Sequence, residues 1–310
     1  MQTIVALDPQ GPFAQPLSDL SWLLITAMFA VLAIVIVLTL LAVFARNTVK
    51  RLIAKPGMVI IGGLAFPTIV LTGLLVWSLG VTDKVAAKPE PTDLRIRVTG
   101  EMWWWRVHYL EGDRVLFETA NEIHIPVGRT VAFELASNDV IHSFWIPQLG
   151  GKMDMVPGRV NMLRLQADAA GVYRGQCSEY CGAAHALMAM EVVAQPEADY
   201  QAWAASQAEP ARNPSGPGLD AFAASGCGAC HAVRGTTANG MIGPDLTHVG
   251  SRRTIAAGIL PNDKATLTRF IKHAGELKPG LRMPDYDRLP QQDVEAIADW
   301  LHAMQSGSQQ

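Results

Sequence analysis

Residues 175–188, GQCSEYCGAAHALM, place two thiols, an imidazole and a thioether in one short segment: Cys177, Cys181, His185 and Met188. Thiolate and thioether are soft ligands and select soft or borderline metals, copper above all. Zinc is the competitor, because Cys-x3-Cys followed by a histidine also suits a tetrahedral site. A disulfide is the plainest alternative if the segment lies outside the cytoplasm. Copper uses the whole set, whereas zinc leaves Met188 idle and a disulfide leaves His185 idle as well. A further ligand has to come from elsewhere, and Asp139–Trp145 (DVIHSFW) offers His142 in an apolar, strand-like run. Alone, such a histidine reads as a satisfied core residue; beside an incomplete soft-metal site it reads as a ligand.

The surroundings of this segment have a period of two. Val131, Phe133 and Leu135 alternate with Ala132 and Glu134, and Leu163, Leu165 and Ala167 alternate with Arg164 and Gln166. Turn signals such as Glu111-Gly112-Asp113 and Pro157-Gly158 separate the runs. Many short strands at this spacing, from Leu94 to Gln195, predict an antiparallel sandwich or barrel. Residues 196–205 predict a short closing helix, and Glu209–Gly218 is a Pro/Gly-rich linker.

Beyond the linker stands Cys227-Gly228-Ala229-Cys230-His231, a Cys-x-x-Cys-His haem attachment signature. The thiols form thioethers with the haem vinyl groups, and the adjacent histidine is delivered to the iron. A purely electron-carrying haem needs a sixth ligand, for which Met283 is favoured over Met241, His248 and Met304. Methionine opposite histidine raises the potential. Helical spacing puts Leu267, Phe270 and Ile271 on one face of Lys264–Ala274, and Val294, Ile297, Trp300 and Leu301 on one face of Gln291–Met304. These are core and haem-wall positions; His273 and His302 read as solvent-facing.

The N-terminal part is different in kind. Residues 1–20 carry only Asp8 and Asp19 as charges, lack the basic region of a signal peptide, and read as an exposed external leader. Ser21–Ala45 is uncharged and long enough to cross a bilayer of about 30 Å. A second uncharged stretch, Pro56–Thr82, contains Gly62-Gly63 and Pro67, which membrane helices tolerate. The loop between them, 46–55, has four positive charges and no negative one, so it belongs in the cytoplasm with both termini on the other side. Lys84–Thr92 is a short polar linker.

Together these motifs resemble subunit II of the haem–copper cytochrome c oxidases. The resemblance is carried by GQCSEYCGAAHALM, by NDVIHSFWIP and by Lys152–Arg159 (KMDMVPGR). It implies a two-helix transmembrane hairpin (21–82, helices near 21–45 and 57–81), a cupredoxin-like Greek-key β-barrel (88–206) and a linker (207–218). It also implies an all-α class I cytochrome c domain (219–310), as in caa3-type oxidases. Carried over residue by residue, Cys177 and Cys181 bridge two coppers of a CuA centre, and His142 and His185 each bind one. Met188 is a weak ligand, and Glu179 gives its backbone carbonyl. The Glu179 carboxylate is the candidate for a magnesium or manganese ion at the subunit I boundary. Aligned on Gly100, Trp103 is the family's surface tryptophan for electron entry. Met283 lies at the spacing of class I cytochromes, and the carbonyl of Pro244 orients His231. The family often places a glutamate at the cytoplasmic end of the second helix, but here no acidic residue lies between Asp19 and Asp83.

The implied role is the electron-input subunit of a proton-pumping respiratory oxidase in a bacterial inner membrane, both cofactor domains lying outside. Electrons pass from a cytochrome c or quinol–cytochrome reductase through haem c and CuA to subunit I. The oxygen-reducing site is not in this chain. Its rivals are the CuA subunit of a nitric oxide reductase and a membrane-anchored copper-binding or sensing protein that is not an enzyme. A formal charge of −3 gives nucleic acid binding no electrostatic support. A short flexible tether raises the effective concentration of the carrier to roughly millimolar, so its docking need not be tight. Cys181→Ser is expected to remove the mixed-valence copper spectrum and leave the haem absorption intact; loss of both would indicate misfolding.

Overall fold

The computed structural model describes residues 5–85, 90, 93–212 and 214–307; most of the expected linker Lys84–Thr92 lies outside them. Helix α1 (Gln15–Phe44) begins before the expected Ser21. Pro16 sits in its first turn, where a missing N–H costs nothing and the fixed φ favours initiation. A loop helix, α2 (Asn47–Ile53), follows, and Lys50 Nζ reaches back 2.9 Å to the Val43 carbonyl near the end of α1. The second apolar span runs from Pro56 to Thr82. It comprises α3 (Pro56–Ile60), a π-helical turn (Ile61–Ala65) holding Gly62 and Gly63, and α4 (Phe66–Val85). The two spans have mean hydropathies of 3.1 and 2.3, and their apolar windows are unburied by the rest of the chain. Side chains such as Phe44 and Ile69 stand bare, so a bilayer or another subunit has to cover them.

The segment before α1 is not a free leader. Gln10 donates to the Gln148 carbonyl at 2.7 Å, and Asp168 donates to the Gln10 carbonyl at 2.8 Å. A β-carbon on Gly11 would lie 2.0 Å from the Gln166 carbonyl oxygen. Ala14 and Ser18 are buried, and the Arg164 guanidinium stands over the Phe13 ring. Residues 10–18 thus strap the first helix to the β-domain that follows the second span, which corrects the exposed-leader expectation there.

That domain has ten strands in two five-stranded sheets. They are β1 (Leu94–Glu101), β2 (Trp104–Glu111), β3 (Arg114–Ala120), β4 (Glu122–Pro126) and β5 (Val131–Ser137). Then come β6 (His142–Trp145), β7 (Met153–Met155), β8 (Asn161–Leu165), β9 (Gly171–Cys177) and β10 (Ala189–Gln195). The sheet orders are β3-β2-β1-β5-β8 and β4-β10-β9-β6-β7. β1 runs parallel to β5 and β4 parallel to β10, the others being antiparallel, a Greek-key arrangement. Inward-facing Ile96, Trp105, Phe133, Phe144, Ile123 and Met190 form one core between the sheets. Helix α5 (Glu197–Ala208) closes the barrel by stacking Trp203 on His124 at 4.0 Å.

The C-terminal domain is helical, with α6 (Pro217–Ala224), α7 (Lys264–Lys272), α8 (Ala274–Leu277) and α9 (Gln291–Ala303). A β-carbon at Gly218 would lie 2.2 Å from that of Trp300, so α6 and α9 cross almost backbone to backbone. The Asp263 carboxylate accepts from Thr266 N and caps α7. His302 is half-buried and its Nδ1 has no partner, unlike the solvent-facing expectation. The Pro/Gly-rich linker is partly fastened too: Arg234 donates to the carbonyls of Gln207 and Ala208, and Ala211 donates to Arg234 O. Phe133→Ala is expected to destabilise the barrel by about 3–5 kcal/mol, read by denaturant unfolding.

Candidate metal and haem centres

Strand pairing assembles the first site. β6 pairs antiparallel with β9 in a register that puts Phe144 opposite Cys177, and β9 pairs with β10. The 178–188 loop therefore folds back over the start of β6, where His142 is fully buried. Cys177 Sγ and Cys181 Sγ are 3.7 Å apart. Cys177 Sγ lies 3.2 Å from the Glu179 carbonyl oxygen and 3.9 Å from His142 Nδ1. Cys181 Sγ lies 3.5 Å from His185 Nδ1 and 3.9 Å from Met188 Sδ. His142, Cys177 and Cys181 place ligand atoms within 4.8 Å of one another. All six expected groups thus converge on one small space. Hydrogen bonding, first from Cys181 and also from His142, pulls Cys177 below the usual thiol range, while Cys181 is raised because it keeps the shared proton. The neighbours thus favour a thiolate, the form that binds metals.

The walls of this site are rigid. A β-carbon at Gly100 would lie 2.6 Å from His142 Cδ2, so only glycine fits beneath that imidazole. Asp139 Oδ1 is 2.8 Å from His142 Nε2, and its Oδ2 accepts from Met102 N at 2.7 Å. With Nε2 engaged, His142 turns Nδ1 towards the sulfurs. Asp139 escaped the sequence reading although it stands three residues before His142; the spacing that makes a second partner for the histidine was its signal.

The second site is a cavity lined on one side by Cys227, Cys230, His231 and Met283. His231 Nδ1 is 2.9 Å from the Pro244 carbonyl, leaving Nε2 free for iron. A β-carbon at Gly243 would lie 2.5 Å from His231 Cε1, so the imidazole is clamped against its own backbone. Desolvation lowers the His231 pKa, so the ring stays neutral. Met241 is 76% exposed, and neither it nor buried His248 and Met304 line the cavity. Glu101, Met102, Trp103, Trp104 and Asp139 line its other side.

Trp103 is not at the surface, contrary to the expectation. It is 6% exposed and covered by the helical domain, and its Nε1 donates to the Cys181 carbonyl at 2.8 Å. Trp105 is a core residue, and half-buried Trp104 lies under the Arg106 guanidinium. Trp103 therefore stands between the haem cavity and the metal loop. The domain contact itself was invisible in the sequence, since residues from Arg252 to Arg282 that meet the barrel form no motif.

A family model of the cytochrome c oxidase subunit II periplasmic domain matches residues 106–195, and one of cytochrome c matches 216–305. Cytochrome c oxidase subunit 2 of Alkalihalophilus pseudofirmus is 34% identical, the alignment covering 98% of this chain and 91% of that protein. That of Bacillus sp. strain PS3 is 30% identical, covering 78% and 70%. The solved periplasmic domain of subunit II of cytochrome oxidase (CoxB) of Bradyrhizobium japonicum is 30% identical, covers 38% of this chain and 95% of that one, and superposes with a TM-score of 0.36. The chain belongs to the cytochrome c oxidase subunit II family, in the form that carries a cytochrome c domain at its C-terminus. It is a membrane-anchored component of a haem–copper oxidase complex, and its two matched domains imply a CuA copper centre and haem c. The converging soft donor set suits the coppers, and the Cys-x-x-Cys-His cavity with its clamped histidine suits the haem. Asp139→Ala is expected to weaken copper retention by about 10–100-fold, read as the copper-to-iron ratio after a chelator challenge.

Proposed function

We infer that this chain carries electrons from a covalently held haem to a dicopper centre and on to subunit I. The observation that carries the reading is that one wall of the haem cavity is the aromatic segment whose Trp103 bonds to the metal loop. When bound, the haem and the copper pair supply one-electron redox chemistry. Cys227 and Cys230 would tether the haem, and His231 and Met283 would hold its iron. Pro244 O fixes the tautomer and orientation of His231. Cys177 and Cys181 would hold the copper pair, with His142, His185, Met188 and the Glu179 carbonyl completing the set. Asp139 and Gly100 hold the His142 ring in one place in both redox states, which keeps reorganisation small.

The four positive charges of loop 46–55 support a cytoplasmic position for it, with both cofactor domains on the opposite side. The proposed functional limits are a hairpin over 21–82, a copper domain over 88–206 and a haem domain over 219–310. Outside, the donor is a cytochrome c or a quinol–cytochrome reductase. The exposed carboxylate of Glu179 supports a magnesium or manganese ion at the boundary with subunit I, where carboxylate and water suit a hard cation. In the assembled oxidase, oxygen is reduced to water in subunit I with proton pumping.

Stopped-flow reduction tests the relay. The haem spectrum should change to its reduced form first, and the mixed-valence copper band should then fade as the electrons equilibrate; a copper band that never responds would sink the relay. Met283→His is expected to lower the haem midpoint potential while the Cys227–Cys230 attachment persists, as seen by redox titration.

A further inference from the structure

The two external domains meet along a contact organised by an unusual turn. Ala256, Ala257 and Gly258 have φ of 55°, 63° and 77°, three successive residues in the left-handed region. Two of them bear a side chain, for which this backbone is strained and persists only when its surroundings hold it. Each of the three carbonyls has a partner. Ala256 O accepts from Lys278 Nζ at 2.9 Å, Ala257 O from the backbone N–H of Ala189 at 3.0 Å, and Gly258 O from Arg174 Nη1 at 2.9 Å. The last two donors belong to the barrel, and Ala189 directly follows Met188 of the metal loop.

Lys278 belongs to the haem domain, and its side chain is almost fully buried. Its Nζ also donates to the Trp103 carbonyl at 2.6 Å, so one amine ties the turn to the aromatic segment of the other domain. No carboxylate pairs with it among the described residues. Such an amine is retained in an interior for the geometry of its hydrogen bonds, because losing one partner leaves the others buried and unsatisfied. Close by, a β-carbon at Gly280 would lie 2.7 Å from the Trp103 ring, so the same loop presses on that indole. On the far side of the contact, Arg253 donates from its backbone N–H to Glu122 Oε2 at 2.7 Å and from Nε to Glu191 Oε2 at 3.1 Å. Arg106 of the barrel donates to the Met241 carbonyl at 2.7 Å.

We propose that Lys278 is the positioning residue of an interdomain lock, holding the haem domain against Trp103 and the copper loop as a fixed donor and not as a tethered shuttle. The inference rests on the relay reading above. Lys278 lines the haem cavity, but its hydrogen bonds go to neither the haem ligands nor the copper ligands; it acts through the Ala256–Gly258 turn and the Trp103 carbonyl. Partner exchange with the external donor then takes place on the haem domain while the domain stays docked.

The test compares the purified oxidase with its Lys278→Met variant, which keeps the length of the side chain and removes the donors. Hydrogen exchange resolved to single amides reads the lock directly. Ala189 N–H is bonded across the contact, whereas Glu191 N–H is bonded within the barrel to Asn121 O. In Lys278→Met, protection of the Ala189 amide should fall by about ten-fold or more, that of Glu191 should stay, and the haem and copper spectra should persist. Haem-to-copper electron equilibration should slow and acquire a dependence on ionic strength. Unchanged protection at Ala189 with both spectra intact overturns the proposal, as does a wild-type Ala189 amide that exchanges freely. If Lys278→Met loses both spectra, Lys278→Gln, which restores one donor, is measured by the same comparison and judged by the same outcomes. Absence of the copper spectrum from the wild-type oxidase would instead defeat the relay reading.

Discussion

The pairing of β6 with β9 is the constraint on which the rest depends. His142 begins one strand, Cys177 ends the other, and the register that sets Phe144 opposite Cys177 brings them to the same end of the sheet. A one-residue slip would turn every side chain of β6 to the opposite face and separate the imidazole from the sulfurs. The register is held by the core itself, since Phe144 packs edge-on to Trp105 and against Phe133. The energy that folds the barrel is thus also the energy that shapes the metal site. Asp139 and Gly100 then remove the remaining freedom of the imidazole, one by a hydrogen bond and one by contact.

A second consequence of this arrangement is that the metal loop has two sides. The sulfurs of Cys177 and Cys181 turn inward, while the Cys181 carbonyl turns outward to the indole of Trp103. The helical domain covers that indole, and its haem cavity opens against the same aromatic segment. A tryptophan that a separate carrier would meet at a surface is here already enclosed by the chain's own carrier. Fusion therefore does more than raise a local concentration: it replaces an encounter surface by a packed one, with Lys278, Arg253 and Arg106 satisfied across it.

The ends of the domains behave likewise. Their prolines and glycines make residues 1–20 and the Pro/Gly-rich segment after α5 look loose. Their backbones are nevertheless engaged, Gln10 with Gln148 and Asp168, and Ala211 with Arg234. Main-chain hydrogen bonds carry no side-chain signature, so a proline- and glycine-rich stretch need not be a free one.

The sequence by itself determined the kinds of element and the chemistry. Period-two runs, two long uncharged spans, the Cys-x3-Cys…His…Met segment and Cys-x-x-Cys-His are local patterns, each set by residues close together in the chain. A soft-metal set short of one ligand points to His142, and an electron-carrying haem short of a sixth points to Met283. Only the tertiary structure decided what depends on long-range packing. It set the burial of Trp103, the roles of Asp139 and Gly100 around one imidazole, the strap at Gly11, and the bond from Lys278 to a carbonyl far away in the chain. The physical reason is that these contacts join backbone carbonyls and ring edges across domains, and a carbonyl is the same at every position of a sequence.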